Sequence, residues 1–188
     1  MNINIKIITI FAFIAFSCFS QFVCAQEQDT KLDPFFKVEI FADKISAGYE
    51  FPIAARFSGD ISAGIGAANE IAHNKLSIVW SDQGKSYAGF FIRGQIRYYL
   101  NRTSRGKKGR SLKNNAGSFL GFQSKFNTNG GNKVLGSALL NDIHFGQQLP
   151  LGDSFFIRYQ LGLGYGHNFG QNYSTMYPAL GIFIGYAF

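Results

Sequence analysis

Apolar residues recur at every second position through segment after segment of this chain, and that period restricts it to β-strands. The last segment shows it most plainly. In YPALGIFIGYAF, Leu180, Ile182, Ile184, Tyr186 and Phe188 share one parity, while Ala179, Gly181, Phe183, Gly185 and Ala187 share the other. Upstream, Phe155, Ile157, Tyr159, Leu161, Leu163 and Tyr165 oppose Phe156, Arg158, Gln160, Gly162, Gly164 and Gly166. Leu135, Leu139, Ile143 and Phe145 oppose Gly136, Ala138, Asp142 and His144, and Leu120, Phe122 and Phe126 oppose Gly121, Gln123 and Lys125. Phe90, Ile92, Ile96, Tyr98 and Leu100 oppose Phe91, Arg93, Gln95, Arg97 and Tyr99. Phe57, Ile61, Ala63 and Ile65 oppose Ser58, Asp60, Ser62 and Gly64. Ile45, Ala47, Tyr49 and Phe51 oppose Ser46, Gly48 and Glu50; Phe36, Val38 and Ile40 oppose Lys37, Glu39 and Phe41. The count is eight strands, or seven if Phe36–Phe51 is one long strand with a bulge.

The polar face decides what these strands enclose. It mixes glycine with charge. A sandwich in water turns its polar face to open solvent and has no need of small residues there. A closed barrel in lipid reverses the geometry: large apolar residues face hydrocarbon, and a cramped polar lumen needs glycine beside each arginine or glutamine. In hydrocarbon an unpaired amide costs several kcal/mol, so such a sheet must close on itself. The expected fold is all-β, an eight-stranded antiparallel up-and-down transmembrane barrel over residues 35–188.

The first residues agree with that address. Lys6 precedes an apolar run, Ile7–Phe19, and Val23-Cys24-Ala25 offers small residues for a signal peptidase. Residues 1–25 read as a cleavable signal peptide and 26–34 as a short periplasmic segment. Both cysteines, Cys18 and Cys24, fall in the leader, so disulfides, thiol chemistry and cysteine metal sites are not expected in the mature chain.

An even strand number places both termini in the periplasm. Connections at Pro52–Ala55 and Leu149–Asp153 fall on that side, and Ala42–Lys44, Glu70–Ser86, Asn127–Lys133 and Phe169–Ser174 on the outer side. Within Glu70–Ser86, LSIVW (Leu76–Trp80) is too apolar for a solvated loop and is expected to extend its hairpin. The remaining periplasmic connection, NRTSRGKKGRSLKN, holds Arg102, Arg105, Lys107, Lys108, Arg110 and Lys113 and no acid. The whole chain carries +7, one charge of it from Lys6; these six cations account for the rest. The turn is read as solvated, or as an electrostatic contact with peptidoglycan or anionic inner-leaflet headgroups. A secreted address argues against nucleic acid.

The signal peptide, the alternation and the terminal aromatic together resemble small eight-stranded outer-membrane barrels of the OmpA/OmpX type. RYYLNR, KKGR and NNAGSFLGF, followed by YQLGLGYG, resemble uncharacterised Bacteroidetes outer-membrane proteins over most of the mature chain. The resemblance implies that Tyr186 and Phe188 form the signal read by the barrel assembly machinery, and that outer-membrane lipid surrounds the wall.

The expected lumen holds Lys37, Glu39, Glu50, Asp60, Arg93, Arg97, Lys125, Asp142, His144 and Arg158, a near balance of charge that favours a salt-bridged plug over a selective pore. A structural or surface-interaction role follows. A narrow channel or small-ligand carrier is the alternative. A lipid-modifying enzyme comes third, with His144 and Asp142 on one strand and Ser46 or Ser62 completing a triad if register allowed. His73, His144 and His167 are too scattered for a metal set. GLGYG lies inside a strand and not before a helix, so no cofactor is expected. Tyr49, Phe51, Tyr98, Tyr99, Phe155, Tyr173 and Tyr177, near strand ends, suit interfacial girdles.

Overall fold

The computed structural model describes residues 31–41, 44–72, 75–79, 81–82, 85–86, 88–128 and 136–188. The leader, residues 26–30, His73, Trp80 and Leu135 lie outside them. In chain order the elements are β1 (Phe35–Phe41), β2 (Lys44–Ala54), β3 (Phe57–Ala72), β4 (Lys75–Val79), β5 (Ser81–Asp82), β6 (Lys85–Ser86) and β7 (Ala88–Tyr99). A six-residue helix α1 (Arg102–Lys107) and a 3-10 turn (Lys113–Asn115) follow. Then come β8 (Gly117–Asn127), β9 (Ala138–Leu151), β10 (Phe155–Asn168) and β11 (Tyr173–Ala187).

Eight of these strands close a barrel. Every pairing is antiparallel and runs β2-β1-β11-β10-β9-β8-β7-β3, with β3 returning to β2. Phe36–Phe51 is therefore two strands. Phe41 faces Lys44 across a two-residue connection, and Phe35 faces Glu50. The barrel closes through β1 and β11, from Lys37 opposite Ala187 to Phe41 opposite Phe183.

The parity read from the sequence sets which side chains face in. Phe36, Ile61, Ile143, Leu161, Leu163 and Leu180 lie exposed on the outer wall. Lys37, Asp60, Arg97, His144 and Arg158 on the alternate positions are buried. Inward glycines make room for the rings beside them. A Cβ on Gly121 would collide with the His144 imidazole, and one on Gly185 with the Phe156 ring. Glycine there is a packing requirement of the narrow lumen.

The LSIV segment lengthens its hairpin, as expected. β4 pairs with the tip of β3, from Ala68 opposite Val79 to Ala72 opposite Lys75. Its Leu76, like Tyr177, packs against Ala138 and Leu140 on the facing wall, so the hairpin leans across the barrel mouth.

The opposite end departs from the expectation of a solvated turn. The segment after β7 folds back under the barrel. Arg102 and Arg105 are buried, whereas Lys107, Lys108, Arg110 and Lys113 are exposed. Arg102 donates to the carbonyls of Lys31, Leu112 and Ala116. Asn114 and Asn115 turn the chain through left-handed backbone, each at φ 52°, a conformation asparagine tolerates better than most residues. The side chain of Asn115 then holds both the N–H and the carbonyl of Asp33 at 2.9 Å. This fastens residues 31–34 to the barrel, with Leu32 fully buried against Tyr99 and Phe119.

Two girdle assignments are corrected. Tyr99 is fully buried inside, and Tyr177 points to the lumen side. Their strand-end position suggested an interface, but their odd parity on β7 and β11 matches the inward Arg97 and Ala179.

Candidate functional site

The lumen gathers charged residues from seven of the eight barrel strands, all but β11. Lys37 of β1 is the hub. Its ammonium reaches Glu39 at 3.2 Å, Glu50 at 3.6 Å and Asp60. Arg97 of β7 bridges Glu50 at 2.6 Å and Asp60 at 2.5 Å. Arg93 meets Glu39 at 2.6 Å through one nitrogen and donates to Ser62 at 2.9 Å through Nε. Arg158 of β10 approaches Glu39 at 2.6 Å; the angle makes this a charge contact and not an aligned hydrogen bond. Its guanidinium also lies 4.4 Å from the Phe183 ring centroid. Tyr99 and Asn115 both donate to Glu50, at 2.9 and 3.0 Å.

A second cluster is joined to the first through Gln95, which accepts from Arg97 at 2.7 Å. The Gln95 amide lies 2.6 Å from His144 Nε2, and His144 Nδ1 lies 2.6 Å from Asp142. The donors assign the tautomer: Nδ1–H donates to the carboxylate and Nε2 accepts from the amide. Asp142 also accepts from Gln123 at 2.8 Å and from Tyr177 at 3.3 Å.

The ten lumen residues expected from the sequence thus all face inward. Lys125 pairs across the β7–β8 ladder with Arg93, its ammonium 5.9 Å from the Phe91 ring centroid. A buried charge is tolerated only when paired, and here cation and carboxylate alternate along the chain of contacts.

The triad geometry is not assembled. Ser62 is held by Arg93, and the His144 nitrogen that would serve a serine accepts from Gln95. The register of β3 against β7, with Ser62 opposite Arg93, decides this. Alternation alone could not, because it fixes the face of a residue and not its neighbours.

At the closed end, Lys113 is ion-paired with Asp153 on the surface. That hydrogen bond and charge hold the Asp153 carboxyl below its ordinary range. Burial lowers the Arg102 guanidinium, and it remains charged. His167, at the other end, lies 2.9 Å from the Ser174 hydroxyl. Among the described residues, no group of three or more His, Cys, Asp or Glu is placed to hold a metal ion.

The chain matches no family model, and no curated protein or solved structure is significantly similar to it. The site must be argued from its own chemistry. Above the ion network, toward the β3–β4 hairpin, the lumen opens into a cavity of about 620 Å³. Sequence reasoning missed it, because inward Phe41, Phe91, Leu140 and Phe183 were not read as a lining.

Proposed function

We propose that this chain is an integral outer-membrane barrel whose lower lumen is sealed, with a structural role in the cell envelope. One observation carries the reading. The outward parity of the eight barrel strands holds no Asp, Glu, Lys or Arg, while Lys37, Glu50, Asp60, Arg97 and Arg158 are buried within. Monomers in water rarely expose a contiguous apolar patch beyond a few hundred Å². Hydrocarbon is the solvent that suits such a wall, and Phe155, Tyr165 and Tyr186 on it suit the two interfaces. The seal rests on Lys37, Arg97, Phe119, Phe156 and Arg158, all fully or almost fully buried, and on Leu32 beneath them. Tyr186 and Phe188, in edge-to-face contact with ring centroids 4.9 Å apart on the outer wall, are accessible for recognition during assembly.

A heat-modifiability gel on isolated outer membranes tests the address, and planar-bilayer recording on the same refolded protein tests the seal. The expected results are different migration before and after boiling, and no conductance steps. Reproducible steps would replace the sealed barrel with a narrow channel. Migration unchanged by boiling would remove the membrane reading.

The exposed Lys107, Lys108 and Arg110 lie at the end that, on this membrane reading, meets the inner leaflet. Cations at an anionic surface contribute about 1 kcal/mol each. Replacing all three with Gln is expected to lower co-sedimentation with anionic liposomes at low salt by about a hundredfold. Equal sedimentation of the variant would leave these residues as a solvated surface.

A further inference from the structure

The β1–β2 hairpin is much shorter than the strands beside it. Its ladder with β11 ends at Phe41 opposite Phe183, and its ladder with β3 ends at Lys44 opposite Gly66. Beyond that level, Tyr173–Ile182 of β11 pairs with β10 along one side and with no described strand along the other. The barrel wall has an edge there. Pro178 sits within that stretch; proline lacks a ladder donor and is confined to edges and bulges.

The cavity passes through the edge. It touches Ala179 and Phe183, which face inward on β11, and also Met176 and Leu180, which face outward and are exposed. A single space reaches both faces of one strand only around its free edge. The β3–β4 hairpin roofs the cavity through Leu76, and the ion network floors it through Glu39 and Arg93. What remains is a side opening, on the level of the apolar outer band between Tyr173 and Tyr186.

The lining has two chemistries. Part of it is apolar: Phe41, Leu140, Met176, Leu180 and Phe183. The rest is charged, with Lys44, Arg93 and Lys125 against Glu39 and Asp142, so cations exceed carboxylates by one. A cavity of this volume is within the range of small-molecule sites.

We propose that the upper lumen is a lateral binding site for a single-chain amphiphile with an anionic head, admitted from the surrounding hydrocarbon between β11 and the β1–β2 hairpin. The head sits by Lys44 and Lys125, and the chain runs out over Phe41, Phe183 and Leu180. This rests on the outer-membrane reading above. A carboxylate and a phosphate monoester share the head chemistry.

Protein refolded into phosphatidylcholine nanodiscs is incubated with palmitate, lysophosphatidate or palmityl alcohol, and bound ligand is counted by native mass spectrometry. One anion per chain is expected, whichever head prevails, and the alcohol binds at least about tenfold more weakly, the ratio one charge-assisted contact carries. Lys44→Gln with Lys125→Gln is expected to reduce anion binding by about tenfold or more. A photoreactive palmitate with a diazirine at its chain end should label the Met176–Phe183 stretch of β11. The heat-modifiability gel on each sample reports folding. A heat-modifiable protein that binds no anion, binds anion and alcohol alike, or is labelled evenly around its wall overturns the inference and leaves the membrane reading standing. A protein that stays dissolved without detergent and does not float with liposomes removes the membrane reading and lateral admission with it.

Discussion

Glu39→Gln is expected to destabilise the barrel by about 3–5 kcal/mol, the cost of breaking a buried ion pair from one side. Glutamine keeps the shape of the side chain, so packing is conserved and the charge alone is lost. That charge faces three cations at once: Lys37 at 3.2 Å, Arg93 at 2.6 Å and Arg158 at 2.6 Å. Among the described residues, Glu39 is the carboxylate in contact with Arg158, which sits fully buried. Without it, Lys37, Arg93, Arg97 and Arg158 share Glu50 and Asp60. The midpoint of urea unfolding in lipid vesicles, followed by circular dichroism and by the gel shift, measures the loss. Lys113→Gln, which breaks the exposed pair with Asp153, serves as the control and should not move the midpoint, since exposed pairs contribute little. A Glu39→Gln midpoint equal to that of the control would mean that water reaches the network and screens it.

That network shows how far alternation carries a reading and where it stops. The inward or outward face of almost every strand residue follows from parity, because successive side chains point to opposite sides of a sheet. Which inward residues meet is set by strand stagger, which the pattern does not encode. Hence Lys37, Arg93 and Arg158 are recognisable as lumen residues in the sequence, but their convergence on Glu39 is not. The same limit explains His144. Its pairing with Asp142, two residues away on one strand, is local and legible; its other partner, Gln95, is two strands away around the barrel and is not.

The connections are less legible for a different reason. A helix of six residues is too short to show a period and owes its shape to tertiary contacts. Arg102 and Arg105 therefore look identical to Lys107 and Lys108 in the sequence, although the first two are buried by the fold-back and the others are not. Leu32 gives no signal as a wedge, since a lone apolar residue before a strand has many fates. The tightness of the Phe41–Lys44 turn is visible in the sequence. Its consequence, a wall with a free edge above it, needs the lengths of β3 and β11 and the ladder positions.

Leu161→Arg separates the two solvents that the outer wall could face. Leu161 lies near the middle of β10, opposite Phe145 of β9 and Leu180 of β11, and is 63% exposed. Phe155 and Tyr165 stand on the same face on either side of it, which puts it far from both aromatic levels. An arginine near the bilayer midplane on the lipid face of a barrel costs about 2–4 kcal/mol, falling to about 0–1 kcal/mol near the interfaces. The same substitution on a surface in water stays within about 0.5 kcal/mol. Side-chain packing does not confuse the comparison, because an exposed position leaves little to disrupt. Unfolding in vesicles is therefore expected to shift by the full midplane cost at Leu161, and by much less for Phe155→Arg at the strand end. Equal and small shifts at both positions would place the apolar wall in water, and the closed barrel would then require a partner surface in place of a bilayer.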